Sequence, residues 1–388
     1  MSILYSDIEA KALLLHYGVT FTDSALSEFQ NESTLLSKRR VYSNYDEKSY
    51  LSIPVPPEVV FSSSKIVANV ILKKESPLKI DYCDGHFFLQ DKNNPTYQKR
   101  IDFFKSPLFY RKRTSSGDYT NRYITKLFGH SLGVFVSPSC FFSRHDTICK
   151  FCSIKSNQGR PSNACSISPS NLDKLLESIE IALSCDNSIN CIYISGGVTS
   201  ADFDSNFLYY CNIAIEIRKK VNMINPNVEV TLNSYPPYSL TLFDKLKDNN
   251  IAYMLSIEAL SDNKRAFYCP GKSKIYGNNG LDRIIDKLLN VVGYGKVLAF
   301  VIEGIEEPEK IIQAAQSYGY MGVCIIAHIL HVDPGTWVEN NKIQVPSVDE
   351  IIKTASALSH VYHRYGIDSS RYYGGRSSLD TESSLSIF

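Results

Sequence analysis

The sequence predicts an α/β protein: a partial TIM-like barrel of six parallel strands and six helices, (β/α)6, with an α+β extension at the N-terminus. From about residue 130 onward, short segments rich in β-branched and aromatic residues alternate with longer segments that carry apolar residues at helical spacing. Such alternation implies parallel strands joined by right-handed crossovers. Six units are too few to close an eight-fold barrel, so they favour an incomplete one.

The predicted strands and helices follow one another in a regular order. The strands are expected at residues 132–136, 191–195, 228–233, 252–257, 297–302 and 322–327. The helices are expected at residues 171–183, 204–221, 240–247, 281–292, 308–318 and 348–365. Ser170 and Ser347 stand where an N-cap is expected, because a serine oxygen can accept from the first N–H groups of a helix.

The chain divides into three parts on this pattern. Residues 1–125 are predicted to form an accessory or lid region, with a helix at 10–17 and strand segments at 65–72 and 80–89, the second of which contains an Asp84-Gly85 turn. Residues 126–370 are predicted to form the barrel. Residues 371–388 form a C-terminal tail whose serine-rich end is expected to be loosely ordered.

Composition narrows the class of protein. The 388 residues include 41 basic and 40 acidic side chains, a net charge of +1, which argues against nucleic acid as a main electrostatic partner. No apolar run approaches the roughly 18 residues of a membrane span, and the first residues do not have the pattern of a secretory signal. Ten cysteines in such a chain are expected to be reduced thiols or metal ligands in the cytoplasm.

Three cysteines follow the first predicted barrel strand, in the segment C140-FFSRHDTI-C149-KF-C152. The C-terminal end of a barrel strand is where this architecture places its chemistry. Three thiolates on one loop can hold three irons of a [4Fe–4S] cluster and leave the fourth iron for another ligand. Phe151, with Phe141, Phe142 and Ile148, supplies an apolar shell that helps to set a redox potential.

These residues resemble the radical S-adenosylmethionine (radical SAM) superfamily. The commonest motif of that superfamily spaces its cysteines three and two residues apart, with an aromatic residue before the last cysteine. This chain keeps the aromatic residue and the Cys-x-x-Cys half but has eight residues in the first gap. Longer gaps exist in the superfamily, so the departure leaves the subfamily open.

Downstream strand ends carry further resemblances. Ser195-Gly196-Gly197-Val198-Thr199 resembles the Gly-Gly-Glu motif that binds the SAM amino group, with valine in place of the acid. That contact is then expected from backbone carbonyls and Thr199. Ser256-Ile-Glu258 is similar to the Ser-x-Glu strand end that reaches ribose and methionine groups. Segment 333–336 is loosely similar to a turn of biotin-synthase-like members. The remaining SAM contacts that the resemblance implies are Asn233 and Ser234 for ribose, Arg265 for the carboxylate and Ile302 beside adenine.

The resemblance implies a radical SAM enzyme with two cofactors, a [4Fe–4S] cluster held by Cys140, Cys149 and Cys152, and SAM. It implies an electron donor such as flavodoxin or ferredoxin and reductive cleavage of SAM to a 5′-deoxyadenosyl radical. That radical abstracts hydrogen from a small-molecule biosynthetic substrate, for carbon-skeleton formation or rearrangement. Transfer of the 3-amino-3-carboxypropyl group of SAM is an alternative outcome.

The sequence leaves two other interpretations of the cysteines open. His145 with the three cysteines matches a tetrahedral Cys₃His zinc centre, which makes the chain a zinc-stabilised binding protein rather than an enzyme. Cys149-x-x-Cys152 alone matches a redox-active dithiol. In the loop after the fourth barrel strand, Cys269 is expected to be structural and Lys272 to contact the substrate.

Overall fold

The structure is a computed structural model that describes residues 5–31, 34–36, 55–144, 147–155, 165–333 and 335–384. Two sheets account for most of its strands. A six-stranded sheet is built from the first hundred residues, and a seven-stranded sheet from the remainder. The mixed α/β class that the sequence predicts is confirmed.

The N-terminal sheet has the strand order β1-β4-β5-β6-β2-β3, with β1 and β4 parallel and the other pairs antiparallel. Its strands are β1 Thr20–Phe21, β2 Glu58–Phe61, β3 Val67–Asn69, β4 Leu78–Cys83, β5 His86–Asp91 and β6 Asn94–Asp102. Helices α1 (Asp7–Tyr17) and α2 (Asp23–Asn31) accompany it. The predicted Asp84-Gly85 turn joins β4 to β5, and both residues have positive φ, as a tight hairpin requires.

In the second sheet, six parallel strands lie side by side in chain order, with one antiparallel strand at the edge. The strands are β7 Thr125–Leu127, β8 Ser131–Phe135, β9 Cys191–Ser195, β10 Glu229–Ser234, β11 Ala252–Glu258, β12 Val297–Glu303 and β13 Val323–Ile329. All six predicted barrel strands are present within a few residues of their expected bounds. Strand β7, which pairs with β8, was not predicted from the sequence.

The connections are less regular than one helix per strand. The α-helices are α3 Leu172–Cys185, α4 Phe203–Ile224, α5 Asp262–Tyr268, α6 Ser273–Asn279, α7 Leu281–Val292, α8 Pro308–Tyr320, α9 Trp337–Asn340, α10 Val348–Tyr365 and α11 Asp380–Ser384. The predicted third helix is a 3₁₀ segment, Leu240–Leu246, while three helices connect β11 to β12. Ser347 caps α10 as predicted, but Asn171, rather than Ser170, occupies the cap position of α3. Among the described helices, none is both long and apolar enough to cross a membrane.

The C-terminal segment corrects one prediction. Its serine-rich stretch is ordered and buried as far as residue 384, because serine is small and its hydroxyl finds partners there. Ser383 is fully buried and donates to the carbonyls of Ala355 and Leu379, and Glu382 forms a buried ion pair with Lys11 of α1 at 2.8 Å. The segment therefore joins the N-terminal part to the barrel helix α10.

Parallel strands in one sheet end at the same edge, so the loops that follow β8, β9, β10 and β11 meet there. The apolar residues of these strands and of the helices packed on them form one large core beneath that edge. The loop that carries the three predicted cysteine ligands follows β8. The loop that carries Cys269 and Lys272 follows β11.

Candidate active site

The cysteine loop begins directly after β8 and turns back on itself twice. Cys140 starts a 3₁₀ turn, and its carbonyl accepts from both the amide and the hydroxyl of Ser143. Cys149 and Cys152 close a second turn, in which the Cys152 amide donates to the Cys149 carbonyl at 3.0 Å. Cys140 and Cys149 are buried and Cys152 is half-buried. His145, the ligand of the zinc alternative, lies outside the described residues.

Gly197, at the end of β9, lets the cysteine loop approach the sheet. Its amide donates to the Ser137 carbonyl at 2.9 Å, and the next carbonyl, of Val198, accepts from the Phe141 amide at 2.6 Å. A Cβ atom at position 197 would lie 2.1 Å from the Ser139 carbonyl oxygen and 2.8 Å from the Cys140 Cα. Glycine is therefore required here for close backbone approach. The predicted contact of Gly196 and Gly197 with SAM stays a prediction.

The loop after β11 braces the cysteine loop from the other side. The Lys150 amide donates to the Tyr268 carbonyl at 2.8 Å, and the Gly271 amide donates to the Thr147 carbonyl at 3.2 Å. The Lys150 ammonium also lies 3.0 Å from the centre of the Phe267 ring, a cation–π contact. Two backbone hydrogen bonds and a charge–ring contact thus fix the two loops against each other.

These contacts bring a fourth cysteine, Cys269, to the site, although the sequence predicts only a structural role for it. The Cys269 thiol is fully buried, and the two backbone hydrogen bonds that join the loops lie on either side of Cys149 and Cys269. No spacing rule signals this pair, because the two cysteines meet only through the sheet topology. The neighbouring Cys269 thiol, together with the charge of Lys272, lowers the pKa of Cys149. Burial raises the pKa of Cys152 to about 12.

Glu258, the last residue of β11, is the acid of the site. Its Oε1 atom accepts from the Tyr235 hydroxyl at 2.6 Å and pairs with the Lys272 ammonium at 3.3 Å. Burial raises the pKa of Glu258, although Lys272 and Tyr235 oppose the shift. Its Oε2 atom is buried and has no hydrogen-bond partner among the described residues. Its φ of +59° lies in the left-handed region, which is strained for glutamate.

Lys272 thus faces both the acid and the cysteines. Its ammonium lies 4.2 Å from the centre of the Tyr235 ring, and its charge interacts with Cys149, Glu258, Cys269 and Cys140. Burial lowers the pKa of Lys272, but the interactions with these acidic groups outweigh it and hold the pKa well above its ordinary value. The lysine therefore stays charged next to the thiols. The predicted substrate contact of Lys272 stays a prediction.

Two of the predicted ribose residues lie on one face of the sheet. The Ser256 hydroxyl donates to the Asn233 side-chain oxygen at 3.0 Å, which places both at the ends of β10 and β11. Ser234, the next residue, is buried and its hydroxyl donates to the Tyr235 carbonyl. Because side chains alternate along a strand, Ser234 does not share the Asn233 face. Asn233 is the better placed of the two ribose candidates.

Three further predicted SAM residues have partners within the protein. Arg265 is buried, and its guanidinium donates to the carbonyls of Ala259 and Leu260, so it shapes the loop after β11. The Thr199 amide and hydroxyl donate to the Asn206 side chain near the start of α4. Ile302 lies in a small apolar cluster with Ile305, Leu330 and Ala259. Their contacts with SAM stay predictions.

The three cysteines are chemically suited to hold an iron–sulfur cluster, but their sulfur atoms do not converge on one point. Cys152 interacts electrostatically with Cys149 and Cys140. Across the part of the chain that the structure describes, no group of three or more His, Cys, Asp and Glu side chains converges closely enough to hold a metal ion. Cysteine thiols on a short loop with an apolar shell are nevertheless typical of iron–sulfur ligands. Binding a cluster requires the cysteine loop to adjust.

No protein-family model matches the sequence, and no curated protein matches it either. Among solved structures, the chain is similar to the [FeFe]-hydrogenase maturase HydG from Carboxydothermus hydrogenoformans, with a TM-score of 0.41 and 15% identity, over 60% of this chain and 51% of HydG. It is also similar to a radical SAM methyltransferase from Sphaerobacter thermophilus, with a TM-score of 0.42 and 12% identity over 75% of each chain.

A third similar structure is the radical SAM methyltransferase TsrM from Kitasatospora setae, solved with cobalamin and a [4Fe–4S] cluster bound. It has a TM-score of 0.34 and 12% identity over 60% of this chain and 43% of TsrM. The matched part of this chain thus spans about half of HydG and less than half of TsrM. Because these three TM-scores are under 0.5, the proposed function rests on the residues of the site.

Proposed function

We propose that the chain is a radical SAM enzyme with a partial (β/α)6 barrel. The main support is the position of the cysteine loop. This loop follows the first parallel strand, and it packs on Gly197 after the second parallel strand and on the loop after the fourth. Cys140, Cys149 and Cys152 are the residues that hold the cluster, which supplies an electron to cleave a carbon–sulfur bond of SAM.

The residues around the loop have separate tasks in this proposal. Glu258 offers the Oε2 atom to a hydrogen-bond donor of SAM, an amine or a ribose hydroxyl, because a buried acceptor without a partner is costly. Asn233 and Ser256 offer a second polar pair on the same edge. Phe142, which is buried within the cysteine loop, helps to exclude water from the thiols. Lys272 offsets negative charge at the cysteines.

The substrate is proposed to be a small molecule, and the electron donor a flavodoxin or ferredoxin. Product analysis distinguishes the two modes of SAM cleavage. Accumulation of 5′-deoxyadenosine supports a 5′-deoxyadenosyl radical that abstracts hydrogen from a substrate carbon. Accumulation of 5′-methylthioadenosine supports transfer of the 3-amino-3-carboxypropyl group.

Anaerobic reconstitution with iron and sulfide tests the proposal. The reduced protein is expected to show a [4Fe–4S]⁺ electron paramagnetic resonance signal that shifts on addition of SAM. The signal should be lost in Cys140→Ala and kept in Cys185→Ser, because Cys185 is exposed at the end of α3, away from the cysteine loop. Tight stoichiometric zinc with no such signal contradicts the proposal and supports the zinc-stabilised binding protein.

A further inference from the structure

We infer that Cys149 and Cys269 form a reversible disulfide when the protein carries no cluster. The inference extends the proposed function, since it makes one cluster ligand unavailable until it is reduced. The pair itself, however, follows from the fold and does not depend on which metal the site binds.

The first support is the backbone contact on either side of the pair. Cys149 and Cys269 are both buried, and they lie in two segments that backbone hydrogen bonds join. Disulfides need sulfur atoms on backbones that approach closely. Here the hydrogen bonds Lys150 amide to Tyr268 carbonyl and Gly271 amide to Thr147 carbonyl hold the two backbone segments together on either side of the pair.

The second support is the geometry of the two loops. The Cys269 amide donates to the Arg265 carbonyl at 2.8 Å, which ends α5 in front of the cysteine, and its carbonyl accepts from the amides of Lys272 and Ser273. A side chain at position 271 is excluded, because a Cβ atom there would lie 2.4 Å from the Phe142 ring. The Cys269 backbone is therefore held in place on both sides, opposite Cys149.

The obvious competitor is Cys152, which shares a turn with Cys149. Cys152 is half-buried, whereas Cys149 and Cys269 are both buried and lie in segments that two backbone hydrogen bonds join. Four other cysteines of the described residues are buried: Cys140 lies at the start of the cysteine loop, and Cys191, Cys211 and Cys324 lie in β9, α4 and β13, within the packed core. The contact therefore selects Cys269 as the partner.

The chemistry is thiol–disulfide exchange with a small-molecule disulfide such as oxidised glutathione. One protein thiolate attacks the small disulfide, forms a mixed disulfide and releases one glutathione thiol. The second protein thiolate then attacks the mixed disulfide, which forms the Cys149–Cys269 bond and releases the second glutathione thiol. Two protein thiols are oxidised and one disulfide molecule is reduced. A dithiol such as dithiothreitol reverses both steps.

Both thiols are buried, so the loops must open before the first exchange. Oxidation of the pair is therefore expected to be slower than reaction at the exposed Cys185, which serves as an internal reference. Once formed, the bond joins two loops that already contact each other, so the folded structure need not change greatly. The consequence is a stored form of the chain in which Cys149 is protected from further oxidation.

The test uses the full chain, purified without oxygen and freed of metal with a chelator. It is incubated with oxidised glutathione, free thiols are alkylated, and peptides are mapped by mass spectrometry. The expected result is a linked Cys149–Cys269 peptide that dithiothreitol removes. Cys149 linked to Cys152, or alkylated in nearly all molecules while Cys185 has reacted, overturns the inference.

Iron uptake separates this inference from the proposed function. After oxidation, the wild type should take up at least about tenfold less iron than after reduction, because one ligand is blocked. Cys269→Ser should take up the same iron under both conditions. Uptake by the wild type that is equal in both conditions overturns the inference. If the reduced wild type takes up no iron, the proposed function fails, while the peptide map still decides the disulfide.

Discussion

Replacement of Glu303 by glutamine should make the protein more stable in alkaline solution and leave it unchanged in acid. Glu303, at the end of β12, is buried, and burial raises its pKa from 4.5 to about 8. Asp380 lines the same small cavity, and burial raises its pKa from 3.8 to about 7. Both acids are therefore mostly neutral in the folded protein near pH 6, where the unfolded chain has them ionised.

The sign follows from the protons bound in each state. Between the unfolded and folded pKa values the folded protein binds more protons, so stability is fully present below about pH 4 and is lost as the pH rises. For Glu303, the difference between pKa values of about 8 and 4.5, at 1.36 kcal/mol per pKa unit, corresponds to about 5 kcal/mol. Thr354, which donates to Glu303, and Glu350 are the other groups that act on it.

The assay is the unfolding temperature measured between pH 5 and pH 9 by intrinsic fluorescence. At about 1.2 °C for each kcal/mol in a chain of 388 residues, Glu303→Gln should unfold roughly 6 °C above the wild type at pH 9 and within about 2 °C of it at pH 5. Glu309→Gln, at an exposed position of α8, is the matched control and should follow the wild type throughout. Parallel curves for wild type and Glu303→Gln from pH 5 to 9 refute the reasoning.

Two other substitutions test the contacts of the site. Gly197→Ala forces a Cβ atom to 2.1 Å from the Ser139 carbonyl, so it should lower iron binding and destabilise the fold by about 2–3 kcal/mol in chemical denaturation. Lys272→Met leaves Glu258 buried without its counter-charge and should cost about 3 kcal/mol. The double variant Glu258→Gln with Lys272→Met should recover most of that loss.

Each of these expectations has its own control. Gly277→Ala lies in α6 with no atom within 4 Å of the added Cβ, so it should keep both stability and iron binding. Equal behaviour of the two alanine variants would show that the close approach at position 197 is not required. A double variant as unstable as Lys272→Met alone would show that an unpaired Glu258 is not the cause of the loss.

The parallel strands were predictable because they are short, apolar and rich in β-branched residues, a pattern that buried parallel strands produce locally. Strand β7 was missed because it has only three residues, one of them Lys126. The cysteine loop was predictable from spacing, whereas the Cys149–Cys269 contact was not. It depends on β8 and β11 ending at one edge of the sheet, which is a property of topology rather than of local sequence.

The partners of Arg265 were unpredictable for a related reason. A guanidinium near a strand end can bind a ligand carboxylate or backbone carbonyls, and the sequence does not distinguish them. The C-terminal segment is ordered although its composition predicts a loose tail. Its serines donate to backbone carbonyls, and Glu382 pairs with Lys11, more than 360 residues away in the chain. Long-range pairs of this kind leave no local signal.

Strand β7 has a consequence for the mobility of the site. Without it, β8 would be the edge of the parallel sheet, with half of its amides open to solvent. Instead β7 pairs with the first three residues of β8, from Ser131 to Gly133, and β9 pairs with the whole of β8, as far as Phe135. Hydrogen exchange of the β8 amides should then be as slow as that of the central strand β10. The segment from which the cysteine loop starts is thereby anchored, and adjustment of the loop is confined to residues beyond Phe135.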